Sequence, residues 1–91
     1  MSDFEWDLEK AAANLRKHGV DFADAATIFE DPRCASVRDP DASGEERFVC
    51  LGADLSGVVL VAVYTWRGLA VRLISARRAS RIERERYLEV P

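Results

Sequence analysis

The arginines are the residues of this 91-residue chain best suited to chemistry, and they are unevenly placed. Residues 55–91 carry 7 Lys and Arg, all of them arginine, against 3 Asp and Glu, a balance of +4. Residues 1–54 carry 6 against 13, a balance of −7, so the formal charge of −3 conceals two halves of opposite sign. A guanidinium group stays protonated and makes two parallel charge-assisted hydrogen bonds, which suits phosphate oxygens. Clustered arginines create a local positive field even on an acidic molecule. The same field also suits an acidic protein partner.

Within that half, Arg72 interrupts an otherwise apolar strand, where a charge is costly unless it faces solvent, a partner or a ligand. Arg77 and Arg78 follow at the strand's end, beside the start of a helix at Ser80 whose amides favour an anion, and Arg81 lies in that helix's first turn. The expectation is that Arg72, Arg77 and Arg78 converge as a phosphate cradle; structural ion pairs or idle surface arginines are the plainer reading. Arg47 opens a strand after Glu45 and Glu46 and is read equally as functional or ion-paired. Lys17 and His18 end a helix, where the dipole favours cations, and His18 is the one side chain with an ordinary pKa near neutrality. Tyr64 and Tyr87 offer rings for stacking or hydroxyls for hydrogen bonding, although most such tyrosines serve packing.

Metal chemistry is not expected. Cys34 and Cys50 lack the CxxC spacing and His18 is the only histidine, so no four-ligand Cys/His zinc site can form. The cysteines read as small strand residues, with a disulfide unexpected in a cytoplasmic protein. Asp3, Glu5 and Asp7 alternate, but neighbouring outward side chains on a strand are ~7 Å apart, which describes a solvated edge rather than a metal cage. No cofactor is called for. The N-terminus has acids where a signal peptide has bases, and no apolar run reaches the ~18 residues of a membrane span, so a cytoplasmic location without membrane contact is expected.

The elements that must position these residues follow from periodicity. Phe4 and Trp6 alternate with acids as a short strand, and Asp7 caps a helix with Leu8, Ala11, Ala12 and Leu15 on its apolar face, stopped at Gly19. Asp21 caps a second helix, marked by Phe22, Ala25, Ala26 and Phe29 and closed at Pro32. Cys34–Arg38 is a weak strand, and DPDASGEE is an exposed acidic loop. Arg47–Ala53, Val58–Trp66 and Ala70–Ala76 read as an antiparallel meander, the second strand central because it is apolar on both faces. Ser80 and Glu83 form a capping box opening a last helix, on which Ile82, Tyr87, Leu88 and Val90 make no clean stripe. The order β-α-α-β-β-β-β-α predicts a single α+β domain over residues 1–91, with an N-terminal helical hairpin on one face of an antiparallel sheet and a C-terminal helix.

The segments FEWD, KAAANLRKHGVDFADAATIF, GEERFVCLG and VRLISARRASRIERERY, in that order over nearly the whole chain, resemble the BrnT family of toxins. The KHG turn after an alanine-rich helix and the ISARRA run before the last helix are the most specific parts. The resemblance implies a RelE-like fold, a ribonuclease that halts translation, and neutralisation by a BrnA-type ribbon-helix-helix antitoxin through which alone the complex meets operator DNA. Read with the residue chemistry above, that activity makes Arg72, Arg77, Arg78, Arg47 and His18 the catalytic candidates and Lys17, Tyr64, Arg81 and Tyr87 the RNA-binding ones, in a cleavage expected to use no metal; the resemblance itself places Arg47 in a family motif. Where relatives often carry a strand-end histidine this chain reads Tyr64, Thr65, Trp66, with Tyr64 as a substitute hydrogen-bonding group. That departure supports the rival expectation of a catalytically inactive module that acts only in an antitoxin and DNA regulatory complex.

Overall fold

The computed structural model describes residues 3–89. The element order is β1 (Asp3–Glu5), α1 (Leu8–His18), α2 (Phe22–Ala26), a 3-10 turn (Thr27–Glu30), β2 (Ala35–Arg38), β3 (Phe48–Ala53), β4 (Val59–Arg67), β5 (Ala70–Arg78) and α3 (Arg81–Leu88). Local chemistry sets the helix ends: Asp7, Asp21 and Ser80 each accept an amide as N-cap, and Gly19 closes α1 in the left-handed conformation at φ 70°. The second helix is shorter than its periodicity suggests, tightening into the 3-10 turn at Thr27. Val90 lies outside the described residues.

The five strands form one sheet in the order β1-β5-β4-β3-β2, with β4 at its centre. Three pairings are antiparallel, but β1 runs parallel to β5, so the sheet is mixed rather than antiparallel. In this orientation Phe4 and Trp6 reach the helix side, against Phe29 and Phe22, while Glu5 stands opposite Arg72 on the other side. Aromatic burial thus outweighs the slightly weaker parallel ladder over three residues.

The main core lies between this first face and the helical hairpin: Phe22, Ala25 and Ile28 meet Cys50, Leu60, Ala62, Val71 and Leu73. The buried stripe of α1 is not the one its leucines mark. Leu8 and Leu15 are exposed, whereas Ala11 is half-buried and Asn14 buried. Asn14 faces inward because its amide is fully used: Nδ2 donates to the carbonyls of Val20 and Ala76, and Oδ1 accepts from Ala76 N–H.

Cys34 and Cys50 also depart from expectation, for their sulfurs are in bonding contact and the two form a disulfide, with Cα atoms 6.5 Å apart. Gly52 is the reason: without a side chain there, Cys34 and Ile28 lie directly over β3, which carries the Cys34 sulfur to Cys50.

Candidate active site on the open sheet face

A single bulge decides where the arginines point. Val63 pairs with Ser75 and Tyr64 with Leu73, so Ile74 is an extra residue in β5. Val71, Leu73, Ala76 and Arg78 consequently share the helix side, and Arg72 and Arg77 share the opposite face. Each of the latter makes contacts only that face permits, Arg72 with Glu5 of β1 and Arg77 with Glu83 of α3.

The expected convergence of Arg72, Arg77 and Arg78 is therefore corrected. Arg78 lies across the sheet, lining a cleft of about 90 Å³ with Gly19, Val20, Asp24, Asp54 and Val58. Its neighbours in the fold are the end of α1, where Lys17 is exposed and His18 half-buried, and not Arg72. Nor are the Ser80 amides free to hold an anion. Glu83 Oε1 accepts from Ser80 N–H, Ser80 Oγ accepts from Glu83 N–H, and Arg77 grips both Glu83 oxygens at 2.8 and 3.0 Å. The Arg77 guanidinium, and then the Ser80 amide, hold the Glu83 carboxyl at about 2. The cradle is filled by the protein's own carboxylate.

The remaining candidates separate in the same way. Tyr64 is 5% exposed, packed between Phe29 and Phe48 on the helix side, with its hydroxyl donating to Ser36 Oγ, so its ring is closed to a nucleotide base. Tyr87 is buried and donates to Asp31 Oδ2, which also accepts from Ala53 N–H. Both tyrosines serve packing and docking. Arg81 is exposed beside Glu85, and Arg47 is exposed at the start of β3.

What the second face offers is a shallow open surface. α3 covers one end, where Val61, Ala79 and Tyr87 are buried outside the main core. Beyond it a cross-strand row, Val37, Val49, Val63 and Ser75, runs over four strands and is only partly covered, Val37 being 65% exposed. Arg72 flanks that row, its side chain 31% exposed. At the other margin the acidic loop is tied down, with the buried Thr65 hydroxyl donating to the Glu46 carbonyl and Arg67 meeting Glu45. A flat floor with a partly unused guanidinium beside a carboxylate can bind an extended phosphodiester and hold it for in-line attack.

The family model for the ribonuclease toxin BrnT of type II toxin-antitoxin systems matches residues 6–83. The chain belongs to the BrnT family. As a BrnT-family ribonuclease toxin, it resembles the crystal structure of the Brucella abortus ribonuclease toxin BrnT with a TM-score of 0.66 and 25% sequence identity, over 89% of this chain and 100% of that one. No curated protein matches the chain. Membership of this family implies an antitoxin partner. No helix among the described residues is long and apolar enough to cross a membrane. Two features of this candidate site have no signal in the sequence: Glu5 reads there as part of a solvated edge, and the bulge at Ile74 leaves no mark in composition.

Proposed function

We propose that this toxin has a RelE-like fold and cleaves RNA without a metal ion on the open sheet face, halting translation until a BrnA-type ribbon-helix-helix antitoxin binds it and links it to operator DNA. The observation that carries the site is Arg72. It is the predicted arginine that the sheet holds in place on the open face while leaving most of its fork unused, since only Nη1 is bonded, to Glu5 at 3.1 Å. Nε and Nη2 have no hydrogen-bond partner among the described residues and are free for phosphate oxygens. Arg77, by contrast, is engaged with Glu83 and fixes α3. Arg47 is a second exposed cation, and Lys17, His18 and Arg78 stand across the sheet, so their part in cleavage is secondary.

The test is cleavage of RNA by purified toxin in excess EDTA. Activity should persist, and Arg72→Ala should lower it about 100- to 1000-fold, as loss of a preorganised donor to developing charge does, with folding retained. Activity that stops in chelator and returns with magnesium or manganese overturns the metal-free mechanism. A folded toxin that cleaves nothing yet binds the protein encoded beside it is the inactive binding module instead.

A further inference from the structure

Cleavage of RNA through its own 2′-hydroxyl needs a proton acceptor close to the group that holds the phosphate, because the attacking oxygen and the phosphorus are near neighbours on one ribose. Among the described residues five arginine–glutamate pairs meet within 4.0 Å, and they differ in what remains free. In the Arg77 pair both Glu83 oxygens are occupied, and a carboxyl held at about 2 is a weak base. The Arg38–Glu46, Arg67–Glu45 and Arg81–Glu85 pairs meet at 3.6, 3.4 and 3.8 Å without a hydrogen bond between them, too loosely held to position a reacting group. Asp7 is committed to capping α1, and Asp31 to Ala53 and Tyr87.

The Arg72–Glu5 pair is different. Strand register sets it, since the parallel β1–β5 ladder places Glu5 directly opposite Arg72. Only Glu5 Oε1 is engaged; Oε2 has no partner among the described residues. A hydrogen bond of 3.1 Å holds the pair, and the side chains, 31% and 43% exposed, are open enough to meet a ligand. The charged groups around it are Arg72 from β5, its strand neighbour Asp3, and Asp7 at the head of α1, which also feels Arg72.

We infer that Glu5 is the general base of RNA cleavage, taking the 2′-hydroxyl proton on Oε2 while the free edge of Arg72 holds the adjacent phosphate. This rests on the ribonuclease reading above. The O2′–P bond forms, the P–O5′ bond breaks with its electron pair leaving on O5′, and O5′ takes a proton from water. The hydroxide so produced recovers the proton that Glu5 accepted, leaving a 2′,3′-cyclic phosphate and a 5′-hydroxyl.

The experiment compares the wild type with Glu5→Gln, Glu5→Asp and Asp3→Asn on a mixed-sequence single-stranded RNA across a pH series, with thermal melts of each. Glutamine keeps the shape and the bond to Arg72 but cannot take the proton. It should lower the rate about 100- to 10,000-fold, the usual span for a general base, and abolish the rise in rate on the acid side of the profile. Glu5→Asp should keep that rise at a reduced rate, and Asp3→Asn should match the wild type. The inference is overturned if Glu5→Gln cleaves like the wild type, or if it loses rate only with melting temperature while its pH profile is unchanged. A wild type that cleaves no RNA overturns the ribonuclease reading itself, a result distinct from the loss of Glu5 alone.

Discussion

Asn14 occupies a place on β5 that a backbone would otherwise fill. β1 pairs with residues 70–72 only, and at Ala76 the same strand edge accepts one hydrogen bond from the Asn14 side-chain amide and donates another to it. Removing that amide leaves buried backbone groups of Ala76 and Val20 without partners, each costing roughly 1 to 3 kcal/mol. Asn14→Ala should therefore destabilise the fold by at least ~2 kcal/mol, and Asn14→Asp, which accepts but cannot donate, should be no better. Denaturant melts check this, and a loss within ~0.5 kcal/mol, the ordinary result for a surface site, would contradict it. Nothing in the sequence marks Asn14, because the leucines beside it draw the apolar stripe one way and its burial depends on an acceptor 62 residues distant. Arg77 and Arg78 teach the same lesson. Their adjacency is legible, but which face each takes depends on the bulge at Ile74, and one extra residue exchanges the two.

The helices and the antiparallel meander were readable because their signals are local: Asp7, Asp21 and Ser80 as caps, Gly19 as a stop, and β-branched runs between turns. The parallel partner of β1 was not, since it joins segments nearly a chain length apart. The last helix shows no clean apolar stripe in its sequence, and Tyr87 is its one buried residue among those described. Its anchorage is polar, which gives it a pH dependence. Glu83 is held at about 2 against an ordinary 4.5, chiefly by Arg77. A depressed carboxyl stabilises the folded state fully above the unfolded value, and that contribution is lost as pH falls through the folded one. Wild-type protein should exceed Glu83→Gln in melting temperature at neutral pH, and the gap should close between pH 4.5 and about 2. Other depressed carboxyls, Asp7 and Asp31, titrate in both proteins and cancel in the difference. Parallel melting curves over that window would show that the Arg77–Glu83 pair does not hold α3.

Over the whole molecule the positive half is quieter than its composition suggests. Arg67, Arg77 and Arg81 lie beside glutamates and Arg72 shares its charge with Glu5, so few cations remain wholly available to phosphate. RNA binding should accordingly respond weakly to salt, with affinity falling by about 0.7 logarithmic units per tenfold rise in salt for each phosphate neutralised on a single strand. Arg72→Ala should reduce that slope by about one such step, whereas Arg77→Ala should leave it unchanged. Equal slopes for Arg72→Ala and the wild type would remove Arg72 from the phosphate.

Glu5 and Arg72 stand 67 residues apart in the chain although they touch in the sheet. A chain interrupted anywhere before Arg72 carries neither the pair nor the strand that completes the β1 edge. At about 5 to 20 residues per second, the ribosome spends several seconds making a polypeptide that lacks this pair. On the proposed roles of Glu5 and Arg72, cleavage therefore waits until β5 has been made, and shorter products should leave RNA intact.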